Sequence, residues 1–268
     1  MSKILKSNVA ITGSTGFIGK NLTEFFDKIE RKYTIIKKTN FQRKRIPSFT
    51  KCTSMIHLIG IGDETTEKRF DRVNVELTKK AIMICKLSNI KKIIFLSGLG
   101  ASKDSSSRYF ISKFKSEEAI RHSGLDYTIF RPSYIIGKDD YLTKNIQKQI
   151  RKRRLLIPGS GNYIIQPISI HDVCKTINLA LNAKIFSKKT IDLVGPEKIS
   201  FKKFLENSND SNVSLENISL KKAKTSALTV KNFPYGIEDI NILSGDFQGN
   251  HRKLEKLTGL KFTKIRRI

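Results

Sequence analysis

Cysteine is scarce in this chain. Three thiols, Cys52, Cys85 and Cys174, are spread over 268 residues and form no CxxC pair. That excludes a disulfide framework and a cysteine-based zinc site, and a reducing, cytoplasmic setting is the expectation. Long apolar runs are also missing, so no membrane span is expected. The opening residues MSKILKSNVAITG lead straight into an apolar strand, and no signal peptide is expected. There are only four histidines, His57, His122, His171 and His251, and no metal-ligand spacing connects them. His57 lies in an apolar strand and reads as a core residue. The sequence shows no internal repeat, and its one low-complexity stretch, NSNDSNVS at 207–214, reads as a surface loop.

Acidic residues are the other shortage. Asp and Glu number 24 against 51 Lys and Arg, a net charge of +27 and a pI near 10.0. Such a balance admits polyanionic partners, nucleic acid among them. The basic residues lie in every segment, however, and only RKRR at 151–154 forms a tight block. Lys, Ile and Asn are abundant together, so the charge is read as compositional and nucleic acid is not the favoured partner.

What is present is an alternation of short apolar strands and helical stretches, in a chain long enough for one substantial core and a small lobe. NVAIT (8–12), YTII (33–36), SMIHLIG (54–60), KKIIFLS (91–97) and DYTIFRP (126–132) read as strands. Helices are expected over Phe17–Glu30, Thr66–Leu87 and Tyr109–His122, and a basic helix over Thr143–Arg154. This order predicts an α/β fold with a parallel sheet covered on both faces. Asp172 reads as a helix-terminal acid.

Between the first strand and the first helix stands ITGSTGFIGKNL, with Gly13, Gly16 and Gly19 at spacing G-x-x-G-x-x-G. That placement is the dinucleotide-binding arrangement. Gly13 permits the tight turn, Gly16 lets the backbone approach a pyrophosphate, and Gly19 lets the helix pack closely on the sheet. With Ser14, Thr15, Phe17 and Ile18 they would hold the phosphates at the helix N-terminus.

Further stretches resemble an extended or atypical short-chain dehydrogenase/reductase, in the group that includes NDUFA9-like complex I subunits and NmrA-like proteins. MIHLIGIG, NVELTKKAI from Asn74, IIFLSGLGA, YFISK, FRPSYIIG, IIQPISIHDV and DLVGPEKISFKKF follow in the family's order, from about Asn8 to about Leu205. The resemblance implies a Rossmann-type doubly wound parallel sheet with a small C-terminal substrate lobe. The core would occupy 1–135, completed by 164–195, and the interleaved lobe mainly 136–268. It further implies a cofactor floor at Leu58, Ile59 and Gly60, a cofactor turn at Arg131, Pro132, Ser133 and Tyr134, and Lys113 on the nicotinamide ribose.

Ser97, Tyr109 and Lys113 form the expected catalytic set. Residues i and i+4 share a helix face, so Lys113 sits one turn from Tyr109 and would lower the phenol's pKa towards working pH. The tyrosine would then move the proton that accompanies hydride transfer, with the Ser97 hydroxyl on the substrate oxygen. After Ser97 comes Gly98-Leu99-Gly100, without the second hydroxyl or acid usual in sugar epimerases and dehydratases, which disfavours nucleotide-sugar chemistry. The strand YTII runs into Lys37-Lys38, and no acid stands between Tyr33 and Thr50. Lys38, with Gln42, Arg43, Lys44 and Arg45 following, favours the 2′-phosphate of NADP over NAD. The expected function is an NADP(H)-dependent oxidoreductase, monomeric or homodimeric, on a small carbonyl, alcohol or quinone-like substrate. A cofactor-binding sensor or accessory subunit with little turnover, and an RNA-binding protein on this fold, are the alternatives.

Overall fold

The computed structural model describes residues 8–42, 48–209 and 213–268. Its strands begin with β1 (Asn8–Thr12), β2 (Tyr33–Ile36), β3 (Cys52–His57), β4 (Lys92–Leu96) and β5 (Asp126–Pro132). Shorter pieces follow: β6 (Ile135–Ile136), β7 (Arg154–Pro158), β8 (Ile164–Ile165) and β9 (Ile168–Ser169), then β10 (Lys189–Leu193), β11 (Ile199–Ser200) and β12 (Ser214–Ile218). Six of these form one sheet in the order β10-β5-β4-β3-β1-β2, and every pairing in it is parallel. The α/β class and the parallel Rossmann-type sheet are therefore as the sequence implied.

The strands alternate in register with the pleat. Val9, Ile11, Ile56, Ile94 and Phe130 share one apolar cluster with Leu22 and Phe26 of helix α1 (Phe17–Lys28). Ala10, Met55, Ile93, Phe95 and Ile129 share the other with Ala81 and Cys85. Both faces of the sheet are covered, which is why its strands read as nearly continuous apolar runs. The three thiols are buried in these clusters, and burial pushes Cys85 and Cys174 up to about 12, far from the thiolate.

A short helix α2 (Lys38–Gln42) follows β2, where the sequence showed no helical signal. The long helix expected from Thr66 begins later. Thr65 and Lys68 close a turn, and the Glu64 carboxylate accepts from the Phe70 amide at 3.0 Å, so the helix starts there. It opens as a π-turn (Asp71–Glu76) and continues as α3 (Leu77–Leu87). Helix α4 spans Arg108–Arg121. The basic helix is α5 (Tyr141–Arg151). It starts two residues early because Asp140 accepts from the Thr143 amide at 2.8 Å. It stops early because Arg153 turns to φ 55° and Arg154 opens β7.

Helix α6 (Ile170–Asn182) returns the chain to the sheet; Ser169 caps it, and Asp172 in its first turn accepts from the Thr263 amide at 2.7 Å. Residues beyond β10 add α7 (Phe201–Asn207), α8 (Leu220–Thr229), α9 (Ile237–Ser244) and α10 (His251–Thr258). A third apolar cluster joins Ile146, Leu155, Phe201, Phe204, Tyr235, Ile240 and Leu243. It places α9 over the carboxyl ends of the sheet strands, because Ser107, the cap of α4, donates to Glu238 at 2.5 Å. No helix among the described residues is long and apolar enough to cross a membrane.

Candidate functional site

The sheet reverses its winding between β1 and β3, and a ligand crevice opens at the carboxyl ends of strands around such a point. The glycine loop lies there. Gly13 has φ +71°, and a Cβ on it would come within 2.8 Å of the Leu58 carbonyl carbon. A Cβ on Gly19 would stand 2.2 Å from the Gly13 oxygen. Those two glycines answer to the protein's own packing. Gly16 does not: a Cβ there meets only the Gly13 oxygen, at an ordinary 3.5 Å. Gly16 is also the N-cap of α1, with no side-chain cap and no acid in the first turn. Half-buried Ser14 and exposed Thr15 precede it, and half-buried Phe17 and Ile18 follow. The amide groups and positive dipole end remain open to an anion.

The cofactor floor is held by a hydrogen-bond chain. The Leu58 amide donates to Thr12 Oγ1 at 3.2 Å, and the Thr12 hydroxyl meets His57 Nδ1 at 2.8 Å. His57 Nε2 meets Thr78 Oγ1 at 3.1 Å, and the Thr78 hydroxyl donates to the Asn74 carbonyl at 2.6 Å. Because Thr78 uses its proton on Asn74, His57 must donate through Nε2 and accept at Nδ1. Burial lowers this imidazole to about 3, with Lys113 adding to the effect, so it stays neutral. His57 is a core residue, as expected, and it fixes Leu58. Asn74 fixes the next stretch: its Oδ1 accepts from the Ile61 amide at 2.9 Å and its Nδ2 donates to Ser112 at 2.8 Å. The π-turn brings this buried amide to the loop, a common setting for such turns.

Ser97, Tyr109 and Lys113 come together on one cavity wall with Gly60, Ile18 and Tyr134. Ser97 ends β4, where its amide donates to the Phe130 carbonyl at 2.7 Å. Its hydroxyl is buried and has no hydrogen-bond partner among the described residues. Lys113 is 6% exposed. Its ammonium donates to the Leu96 carbonyl at 2.7 Å, and stands 4.7 Å from the Phe95 ring centroid and 5.9 Å from that of Tyr109. Burial lowers this lysine to about 8, opposed by nearby Glu117.

The expectation that Lys113 depresses the Tyr109 phenol is corrected here. Burial alone pushes the phenol up, to about 12, and the ammonium is turned to Leu96. Tyr109 is thus held in its protonated form. The bare Gly98-Leu99-Gly100 also has a local cause. A Cβ on Gly98 or Gly100 would come within 2.9 Å of the Phe110 ring, which packs edge-on against Phe247.

The remaining expected cofactor residues divide. Leu58, Gly60, Pro132, Ser133 and Tyr134 line the cavity; Ile59 packs against the second core cluster. Lys37 and Lys38 are exposed at the carboxyl end of β2, just past the Thr12–Ile36 pairing. Arg43, Lys44 and Arg45 lie outside the described residues. Arg131 does not line the cavity: its guanidinium donates twice to Glu117, at 2.8 and 2.7 Å, and so ties β5 to α4.

The cavity measures about 390 Å³, within the range of small-molecule sites. Its far wall was not found by sequence reasoning. Tyr141 and Asn145 of α5, Tyr235, Asp239 of α9 and Phe247 form it, from positions remote in sequence and without a local motif. A glycine loop suited to a pyrophosphate, with buried Ser97 and Lys113 and half-buried Tyr109 beside it, is the arrangement of a nicotinamide-dinucleotide-binding Rossmann site.

Comparison with known proteins agrees. A family model described as NAD(P)H-binding matches residues 48–158. The Arabidopsis thaliana mitochondrial NADH dehydrogenase [ubiquinone] 1 alpha subcomplex subunit 9 is 33% identical over 150 residues, 55% of this chain. The match covers only 37% of that subunit's own length. Among solved structures, a nucleoside-diphosphate-sugar epimerase from Staphylococcus aureus superposes with TM-score 0.73 at 14% identity, over 97% of this chain and 98% of that one. Human epimerase family protein SDR39U1 (isoform 2) with NADPH gives 0.72 at 17%, over 96% and 95%. Over residues 48–158 the chain is thus similar to NAD(P)H-binding proteins, and its fold is the one these solved structures share.

Proposed function

We propose that this chain is an NADP(H)-dependent oxidoreductase acting on a small carbonyl, alcohol or quinone-like compound. The observation that carries this reading is the buried Ser97 hydroxyl, without a partner among the described residues, in the same cavity as Tyr109 and Lys113. A buried, unbonded hydroxyl is costly unless a ligand atom completes it. A bound nicotinamide would supply or accept the hydride. Ser97 would hold the substrate oxygen. Tyr109, kept protonated by burial, would give that oxygen its proton in the reducing direction. Lys113 uses one N–H on Leu96 and keeps two for ribose hydroxyls. The exposed Lys37 and Lys38, with no acid beside them, support preference for the 2′-phosphate.

A second reading is a cofactor-binding accessory protein with little turnover. It is favoured by the high pKa of Tyr109 and by the likeness to a complex I subunit. One experiment separates the two: cofactor titration beside NADPH oxidation over a panel of carbonyls and quinones, with wild type and Tyr109→Phe. Turnover that falls roughly a hundred- to ten-thousandfold in Tyr109→Phe, with cofactor still bound, supports the enzyme. Tight cofactor binding by a wild type that oxidises no NADPH supports the accessory protein.

A further inference from the structure

The charge of the cavity runs against the charge of the chain. In a protein of net charge +27, Lys113 is the one cation among the described residues that line the cavity, and its ammonium is bound to Leu96. The lining holds two carboxylates, Asp140 and Asp239. Asp140 is 2% exposed and caps α5. Asp239 accepts from the Tyr141 hydroxyl at 2.9 Å and from the Gly236 amide at 2.9 Å. Asp63 stands against the same turn, since a Cβ on Gly236 would lie 3.0 Å from its carboxylate oxygens. Burial raises Asp63 to about 6, and the neighbouring Asp239 and Glu238 carboxylates add to the rise. Beside Asn145 and Tyr235, the far wall is mostly hydrocarbon: Leu142, Ile165, Phe201, Ile242, Leu243 and Phe247.

A second concavity next door shows that this is not composition. It shares Tyr141 and Asn145 with the cavity, yet among the described residues Lys144, Lys148, Lys152 and Arg154 line it and no carboxylate does. The basic character stops at the Tyr141–Asp239 hydrogen bond.

We infer that the substrate end of the cavity takes an uncharged, mainly apolar carbonyl compound and rejects anions, with Asp239 setting that preference. A nucleoside diphosphate would need cations or free amide groups where this wall offers carboxylates and hydrocarbon. A like charge placed opposite an unwanted ligand group is an effective device against the wrong ligand. This rests on the oxidoreductase reading for the carbonyl, but the charge preference is measurable without turnover.

The test is equilibrium binding to the protein saturated with NADPH. Probes are neutral aromatic and aliphatic aldehydes, each paired with its carboxylated analogue (2-naphthaldehyde with 6-formyl-2-naphthoic acid, for example), and UDP-glucose. We expect a neutral member to bind about tenfold or more tightly than its carboxylated partner, and UDP-glucose to bind weakest of all. In Asp239→Asn, which keeps an oxygen acceptor for Tyr141 and Gly236, the gap should close by about tenfold while NADPH affinity holds. The inference is overturned if no neutral aldehyde binds better than its carboxylated partner, or if UDP-glucose binds as tightly as the best neutral probe. If Asp239→Asn folds poorly, the wild-type pairs still decide. Neutral probes that bind without oxidising NADPH would count against the oxidoreductase and leave the charge preference standing.

Discussion

The Lys113 ammonium donates to the Leu96 carbonyl at 2.7 Å, joining two residues seventeen positions apart and locking α4 to the end of β4. The bond sets Lys113 immediately behind Ser97. It also holds a cation in a site that burial makes hostile to it, and the lysine's pKa falls to about 8.

Replacing that lysine should therefore separate stability from function. The folded state binds the Lys113 proton more weakly than the unfolded chain does. The cost is complete below pH 8 and fades as the pH rises towards 10.5. Lys113→Met removes a cost of about 3 kcal/mol and leaves the Leu96 carbonyl unpaired, which returns about 1 kcal/mol. The expected outcome at pH 7 is a melting temperature a few degrees higher, with cofactor affinity and any turnover reduced. The gain should shrink when melts are repeated above pH 9. A variant less stable than wild type at pH 7 would show that the buried ammonium is not strained.

His57 gives the same sign of pH dependence in a lower window. Its imidazole falls to about 3 in the folded chain, against 6.5 when free. Between those values the unfolded state binds the proton and the folded state does not. The contribution is whole above pH 6.5 and is lost as the pH falls towards 3, by about 5 kcal/mol in all. His57→Gln, which can still reach both threonine hydroxyls, should flatten stability against pH across that window. Urea titrations at pH 7, 5.5 and 4.5 measure the slope, and parallel slopes for the two proteins would refute the assignment.

Two of the loop glycines make separable predictions. Gly19→Ala drives a methyl into the Gly13 oxygen and should destabilise by about 1–3 kcal/mol or more. Gly16→Ala meets no such contact and should cost about 1 kcal/mol or less, while NADPH affinity drops by about tenfold because the phosphates lose their approach. Thermal melts beside cofactor titration read both effects. A Gly16→Ala protein with unchanged affinity would place the pyrophosphate elsewhere.

The inner strands of the sheet were legible because they are buried on both faces and read as nearly continuous apolar runs, as in Lys92–Leu96, where all five residues are buried; the edge strand β10, half-exposed and carrying Lys189 and Asp192, was not read as one. The glycine loop was legible because its three positions stand between a strand and a helix. Helix ends were less so. The start of the π-turn depends on Glu64 reaching Phe70, and the end of α5 on a left-handed Arg153; neither has a periodic signal. The Tyr109 pKa was misjudged because helical spacing gives the face of Lys113 but not the direction of its ammonium. The far wall was hidden for a different reason. Asp239 reaches the site only because Glu238 docks on the Ser107 cap, 131 residues away in sequence.

The last prediction concerns the cofactor's second phosphate. Strand β2 pairs with β1 through Ile36 and Thr12, so Lys37 and Lys38 follow at the sheet edge beside the glycine loop. Both are exposed, and the Lys37 amide donates to Asn40 Oδ1 at 2.7 Å, which turns the chain into α2 at the point where an NAD-preferring site would carry a carboxylate for the ribose hydroxyls. A lysine ammonium attracts a 2′-phosphate as a point charge, without the two-pronged grip of arginine, so the attraction should be strongly salt-dependent. NADPH should bind about tenfold or more tightly than NADH at low ionic strength, with the ratio narrowing as salt is added. Lys38→Glu should reverse the order by repelling the phosphate and offering the ribose an acceptor, without moving the melting temperature, because the side chain packs against nothing it would leave exposed. Dissociation constants for both cofactors at two salt concentrations decide the matter. An NADH constant equal to or tighter than that of NADPH in the wild type at low salt would show that this basic strand end does not read the 2′-phosphate.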